Sequence, residues 1–214
     1  FAGREFLACQ SPVDHPGGFM MRVMAIEPEA SITLSGAGLT GIPLRTLKAP
    51  GDWFEIPVTG DVHVASTANV LVASFITKIG GQASDPAFLM HRPINQWSTS
   101  YVVDAPPGWP NRELHIGTRL TDSVMLDGAA VSVVRPVTLD YGCASVPVNL
   151  GLHTIEGTGP ISTSLSAQGD YESFWYNGVH VEPAPCEEAP PSTPWALDHG
   201  NTSAGPRLVW QHTD

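Results

Sequence analysis

Residues 20–36 read MMRVMAIEPEASITLSG, and residues 113–128 read ELHIGTRLTDSVMLDG. Each is an apolar run alternating with polar positions, then a polar turn, a second short alternating run and a glycine. Period-two alternation over four to eight residues between turn residues is the mark of a half-buried strand. The same pattern recurs outward in both directions: DVHVAS (61–66), VLVASFI (70–76), SYVVDA (100–105), AVSVV (130–134), VPVNL (146–150) and ISTSL (161–165). Turn signals stand between them at Asp14–Gly18, Glu27–Glu29, Ala49–Asp52, Pro106–Gly108 and Asp127–Gly128. No window of a dozen residues holds a helical period. An all-β fold follows.

The two quoted stretches belong to a longer correspondence. REFLACQSP (4–12) matches TSYVVDAPP (99–107), and EIPVTGDVHV (55–64) matches SVPVNLGLHT (145–154). Phe6 and Tyr101 are 95 apart, Gly36 and Gly128 are 92 apart, and Pro57/Pro147 and His63/His153 are 90 apart. A shrinking offset is what a duplication with small loop deletions leaves. The expected architecture is therefore two tandem related β-sandwich-like units, 1–80 and 81–183, with an extended Pro-rich C-terminal tail or linker over 184–214. Phe1 opens in mid-pattern, as in a piece of a longer chain.

Composition narrows the partners. The chain has 214 residues, long enough to bury a sizeable core, yet only 14% are charged and the net charge is −11. An acidic chain without a Lys/Arg cluster is ill-suited to nucleic acid or an anionic membrane surface. No apolar run reaches the roughly 20 residues of a membrane span. The three cysteines, Cys9, Cys143 and Cys186, form no CxxC pair, so zinc and thioredoxin-like chemistry lack a motif. In an extracytoplasmic setting a Cys143–Cys186 disulfide is expected, leaving Cys9 spare or paired upstream.

Catalytic signatures are missing: there is no G-x-S-x-G and no Walker-type loop. The carboxylate pairs Glu27/Glu29 and Glu187/Glu188 sit in turn or tail contexts. His91 and His115 have no metal-ligand spacing, so no metal or cofactor is expected. Calcium is the one candidate, through loop residues Asp122, Asp127 and Asp140. Aromatic residues beside turns are the better binding signal, because exposed loop tryptophan often marks protein or sugar recognition. The candidate ligand-binding residues are Trp109, held between prolines in PPGWPN, with Trp97, Trp53, Trp175 and Tyr176. Asn201-Thr202-Ser203 matches a glycosylation sequon.

The run VLVASFITKIGGQASDPAFLMHRPINQW (70–97) resembles the signature of the IgGFc-binding protein N-terminal domain family. Val70-Leu71-Val72, Phe75, Asp85-Pro86-Ala87, Pro93 and Gln96 stand at its positions. Tyr101 to Pro106, the turn at 124–128, Tyr141 with Cys143, and 151–154 continue it. The resemblance covers about 50–180, and residues 1–50 look like a preceding copy; after 165 the chain departs from the pattern. It implies a secreted or cell-surface protein. The repeat, the low charge, the loop aromatics and the missing catalytic motifs add the expectation of a non-enzymatic binding or adhesion module that recognises protein or glycan through loops. Self-association as a surface filament or layer subunit is an alternative, and a carbohydrate-active hydrolytic domain a further one.

Overall fold

The strand read at 20–36 sets its own two faces. In β2 (Phe19–Ala25), Phe19, Met21, Val23 and Ala25 are buried, while Met20, Arg22 and Met24 point outward. A computed structural model of the chain describes residues 1–9, 19–36, 39, 44–76, 87–109, 111–132, 134–168 and 173–180. The expected tail from 184, with Cys186, Glu187, Glu188 and Asn201, lies outside the described residues, as do the turn at 14–18 and the loop at 77–86.

The first sheet is built from β1 (Gly3–Ala8), β2, β3 (Ala30–Ser35), β4 (Arg45–Leu47), β5 (Trp53–Val58), β6 (Val62–Ile76) and β7 (Phe88–Met90). The second is built from β8 (Ser98–Ala105), β9 (Asn111–Arg119), β10 (Val124–Leu126), β11 (Ala129–Ala130), β12 (Arg135–Pro136), β13 (Tyr141–Pro147), β14 (Gly151–Gln168), β15 (Ser173–Asn177) and β16 (Val179–His180). All pairings are antiparallel. Because β7 completes the first sheet, a division at 80 would cut through it; the change of sheet comes between Met90 and Ser98.

One long strand organises each half. The start of β6 pairs with β1 and β3, and its end pairs with β2 and β7. The start of β14 pairs with β8 and β10, and its end with β9 and β15. In each half one strand thus serves two layers, which close around an apolar core. Phe6, Met21, Val23, Val64 and Val72 are central to the first core. Tyr101, Leu114, Ile116, Ile155 and Leu165 are central to the second.

The registers of the two halves correspond. Met20 lies opposite Pro57 and Phe75, as Glu113 lies opposite Pro147 and Ser166. Phe6 lies opposite Val64, as Tyr101 lies opposite Ile155. One expected equivalence fails. Six residues separate Pro57 from Val64 and seven separate Pro147 from Ile155, so His63 corresponds to Thr154 and not to His153. A one-residue slip in a strand reverses the face, and the two histidines do different work.

Cys9 is bonded to Cys143, with Cα atoms 5.4 Å apart and a sequence separation of 134. This corrects the expected Cys143–Cys186 bridge and the reading of Cys9 as spare. The end of β1 lies against the outer face of the β13–β9 sheet, a juxtaposition that only the tertiary packing creates. Around the bond Leu7, Trp97 and Tyr141 form a third cluster that joins the halves. Asp61 of the first half meets Arg135 of the second, Nε to Oδ2 at 2.9 Å, and the same guanidinium donates to Ser145 Oγ at 3.1 Å.

Gly117 shows how close this junction is. A Cβ there would stand 2.6 Å from Ser162 Oγ, 3.2 Å from Trp97 Cη2 and 3.3 Å from Cys9 Sγ. Overpacking a site walled by a disulfide and an indole costs about 1–3 kcal/mol. Gly117→Ala is therefore expected to lower Tm by several degrees in a calorimetric melt, and an unchanged Tm would refute the close approach.

Candidate functional site

The outward side chains of β1, the end of β9 and the short turn Ile94–Gln96 converge where the halves meet. They border an open cleft of about 640 Å³ lined by Arg4, Glu5, Asn69, Asn95, Trp97, Arg119 and Tyr141, among others. Tyr141 is its aromatic wall. The His63 ring stacks on Tyr141 at 6.1 Å, Trp97 meets it edge-on at 6.0 Å, and the Arg119 guanidinium lies 5.8 Å from its centroid. A guanidinium held over an aromatic face is oriented without losing its donors.

The acids near the cleft are already engaged. Glu5 Oε1 is 2.9 Å from His63 Nε2. Glu27 accepts hydrogen bonds from the Asn69 backbone N–H at 2.9 Å and from Asn69 Nδ2 at 2.7 Å. Those bonds, with Arg4 nearby, hold its carboxyl below the usual carboxylate range. A glycosidase acid needs the opposite shift. Arg4 and Arg119 are both exposed, so the cleft offers two cations, side-chain amides and aromatic edges.

The tryptophans expected to bind ligand fall in different places. Trp97 and Trp175 are buried, at 9% and 6% exposure. Trp97 contributes one edge to the cleft and donates its indole N–H to the Arg92 carbonyl. Trp175 donates to Ser164 Oγ at 3.1 Å and packs against Phe19, His91 and His115. Burial removes Trp175 from any surface role. Trp53 is exposed, with the Arg22 guanidinium 4.6 Å over its ring. Trp109 and Tyr176 come together at the far end of the second half, both against Phe174. The Trp109 carbonyl accepts from Arg112, and the Tyr176 hydroxyl donates to the Asp104 carbonyl. Burial, then the Asp104 charge, raise the Tyr176 phenol above its ordinary value.

The calcium candidates do not converge. Among the described residues no three His, Cys, Asp or Glu side chains are grouped to hold a metal ion. Asp127 instead belongs to the β10–β11 hairpin turn, where it takes φ 51 and accepts the Thr154 N–H. Its other oxygen lies 2.6 Å from His153 Nδ1, and His153 Nε2 lies 2.9 Å from the Asn149 carbonyl. With an acceptor at each nitrogen, the imidazole cannot take a proton from a nucleophile. Burial disfavours its charged form, but the bonds to Asp127 and Asn149 and the Asp127 charge outweigh this and raise its pKa. A raised folded-state pKa stabilises the fold below the unfolded value, and that stability is lost as pH rises through the folded one. NMR titration should place His153 above an ordinary histidine, and Asp127→Asn should bring it down. A normal His153 midpoint would refute the pairing.

Arg4, Asn69 and Arg119 are not among the binding candidates of the sequence analysis, where Tyr141 enters only through the family resemblance. For the two arginines the visible signal is scarcity: with only 10 Lys and Arg in the chain, each arginine at a strand end is notable.

The family described as IgGFc binding protein matches residues 2–165 of the chain. No curated protein matches it. Among solved structures, the apo form of Pleurotus ostreatus lectin aligns at 8% identity over 83% of this chain and 74% of that one. Its TM-score is 0.25, which carries no argument.

Proposed function

Because this chain belongs to the IgGFc binding protein family, we propose that it is a non-enzymatic, extracellular binding module that takes a protein or glycan ligand in the cleft between its halves. The observation that carries this reading is the Tyr141 wall with Arg119 over it and Arg4 at the rim of the 640 Å³ cleft. Paired guanidinium groups beside aromatic edges suit carboxylate or sulfate groups on a polar partner. A buried disulfide supports an oxidising compartment. No described helix is long and apolar enough to cross a membrane. The corresponding registers support descent of the two halves from one duplicated unit.

The test is a binding screen on glycan arrays and immobilised secreted proteins, the immunoglobulin Fc fragment among them. Arg119→Ala is expected to weaken the captured ligand at least about tenfold, the worth of one charge-assisted bond. Trp109→Ala should leave binding unchanged. The reverse pattern would move the site to the loop aromatics Trp109 and Tyr176. Loss with Trp53→Ala alone would move it to the first sheet.

A further inference from the structure

The packing between the halves has a direction. An outer sheet face of the second half receives the first half. On that face Cys143 is bonded to Cys9, and Gly117 lies under Trp97. Trp175 sits between Phe19 and His91, and Asn177 Nδ2 donates to the Met90 carbonyl at 2.9 Å.

The register gives each of these positions a counterpart in the first half. Cys143 lies opposite Gly117, as Trp53 lies opposite Met24. Ser145 lies opposite His115, as Glu55 lies opposite Arg22. Ser166 lies opposite Trp175, as Phe75 lies opposite Phe88. The counterpart face therefore carries Trp53, Met24, Phe75 and Phe88 around the Arg22–Glu55 ion pair. It is more apolar than the face that is covered, yet Trp53 is 53% exposed and Phe88 51%. Isolated exposed apolar residues are ordinary, whereas a contiguous apolar sheet face marks an interface.

The opposite end of the chain supplies a matching donor. Among the residues with which the first half docks are Cys9 and Asp61. The registers make Asp104 and Leu152 their counterparts. Leu152 is 68% exposed, and Asp104 beside it is exposed too. Carried over, the intrachain contact would set Asp104 of one copy against Trp53 of the next, next to Arg22, where the covered face has its disulfide.

We propose that the outer face of the first half is the docking site for the second half of another copy of this chain, which repeats between molecules the contact made within one. Such an interface is heterologous: face and end are different surfaces, so the contact extends from copy to copy instead of closing as a symmetric dimer. It uses neither Arg119 nor Arg4 and does not depend on the ligand of the cleft.

The experiment is size-exclusion chromatography with light scattering and sedimentation velocity on the full chain, from micromolar to millimolar. The weight-average mass is expected to climb with concentration past the dimer. Trp53→Glu with Phe88→Glu removes the face, and Leu152→Glu removes the end. Each variant alone should stay monomeric, with its melting curve and Cys9–Cys143 bond intact. An equimolar mixture of the two should give dimers and nothing larger, because one good face and one good end remain. Arg119→Ala should associate as the parent does. A parent monomeric throughout, a closed dimer indifferent to Leu152→Glu, or a mixture that stays monomeric would each overturn the proposal.

Discussion

Replacing Cys9 and Cys143 together with alanine is expected to lower the stability of the fold by about 5 kcal/mol, the loop-closure value for a bridge of this span. The bond closes a loop of 134 residues, which takes in most of the first half and part of the second. In the unfolded chain that closure removes many conformations, and its loss restores them. For a chain of this size the change corresponds to a drop in Tm of roughly 10–20 °C. Leu7, Trp97 and Tyr141 still pack around the site, so the variant should fold at low temperature with the same sheets. Both sulfurs are buried, Cys143 completely. A reductant should therefore leave the native protein oxidised and act only once denaturant opens the junction, since exchange needs access by a thiolate. Equilibrium denaturation of parent and variant decides the matter: a difference below about 1 kcal/mol would show that the bond constrains little.

Acid should weaken the fold through His91. Burial lowers its pKa from the ordinary 6.5 to about 4. The ring is 4% exposed, its Nε2 lies 2.8 Å from Ser74 Oγ, and Trp175 meets it edge-on. Between about pH 6.5 and 4 the unfolded chain binds a proton that the folded chain refuses. Stability is therefore complete above the unfolded pKa and falls as pH drops through this window. The shift corresponds to about 3 kcal/mol, reached near pH 4. Asp127 acts in the same direction at lower pH, since its bond to His153 holds its carboxyl down. Denaturation midpoints at pH 7, 5.5 and 4 should show the loss, and His91→Gln should flatten the profile while costing some stability at neutral pH. An unchanged slope in that variant would assign the acid sensitivity elsewhere.

Local order was legible where local physics determined it. The alternation of MRVMA, the Asp127-Gly128 turn and the matched Pro57 and Pro147 all appear in the structure as read. Strand length was not legible. ISTSL stands in the sequence as a short run of its own, but β14 reaches it through Gly157, Gly159 and Pro160, because the strand shifts register there and changes partners. Glycine and proline inside a strand mark such a shift as readily as an end. DVHVAS and VLVASFI fuse into β6 for the same reason. Of AVSVV only Ala130 lies in a strand, the two-residue β11 (Ala129–Ala130), while Val131 and Val134 pack against the second core.

The site was less legible than the fold, because it is made of distances that no spacing encodes. Trp97 and Trp175 stand beside turns in sequence, as surface residues would. The packing of one half on the other buries them. Arg119 ends an ordinary strand, and only the meeting of β9 with the turn at Ile94–Gln96 makes it the rim of a cleft. Cys9 could not be matched to Cys143 without knowing which edge of the first half meets which face of the second.

The Cys9–Cys143 bond also sets how the chain would answer a pull. Tension applied along the backbone enters near Cys9, crosses the sulfur–sulfur bond and leaves at Cys143, bypassing the stretch between them, a sequence separation of 134. That stretch would hold roughly 450 Å of extended contour at about 3.4 Å per residue, none of which can pay out while the bond stands. β2 to β7 of the first sheet, with β8 to β12 of the second, are then mechanically silent, and only β1, the end of β13 and the chain from β14 onward can lengthen under load. In a molecule anchored at one end and gripped at the other, the enclosed stretch would act as a short, stiff link, and its length would be released only after the junction has opened and a thiol has reached the bond.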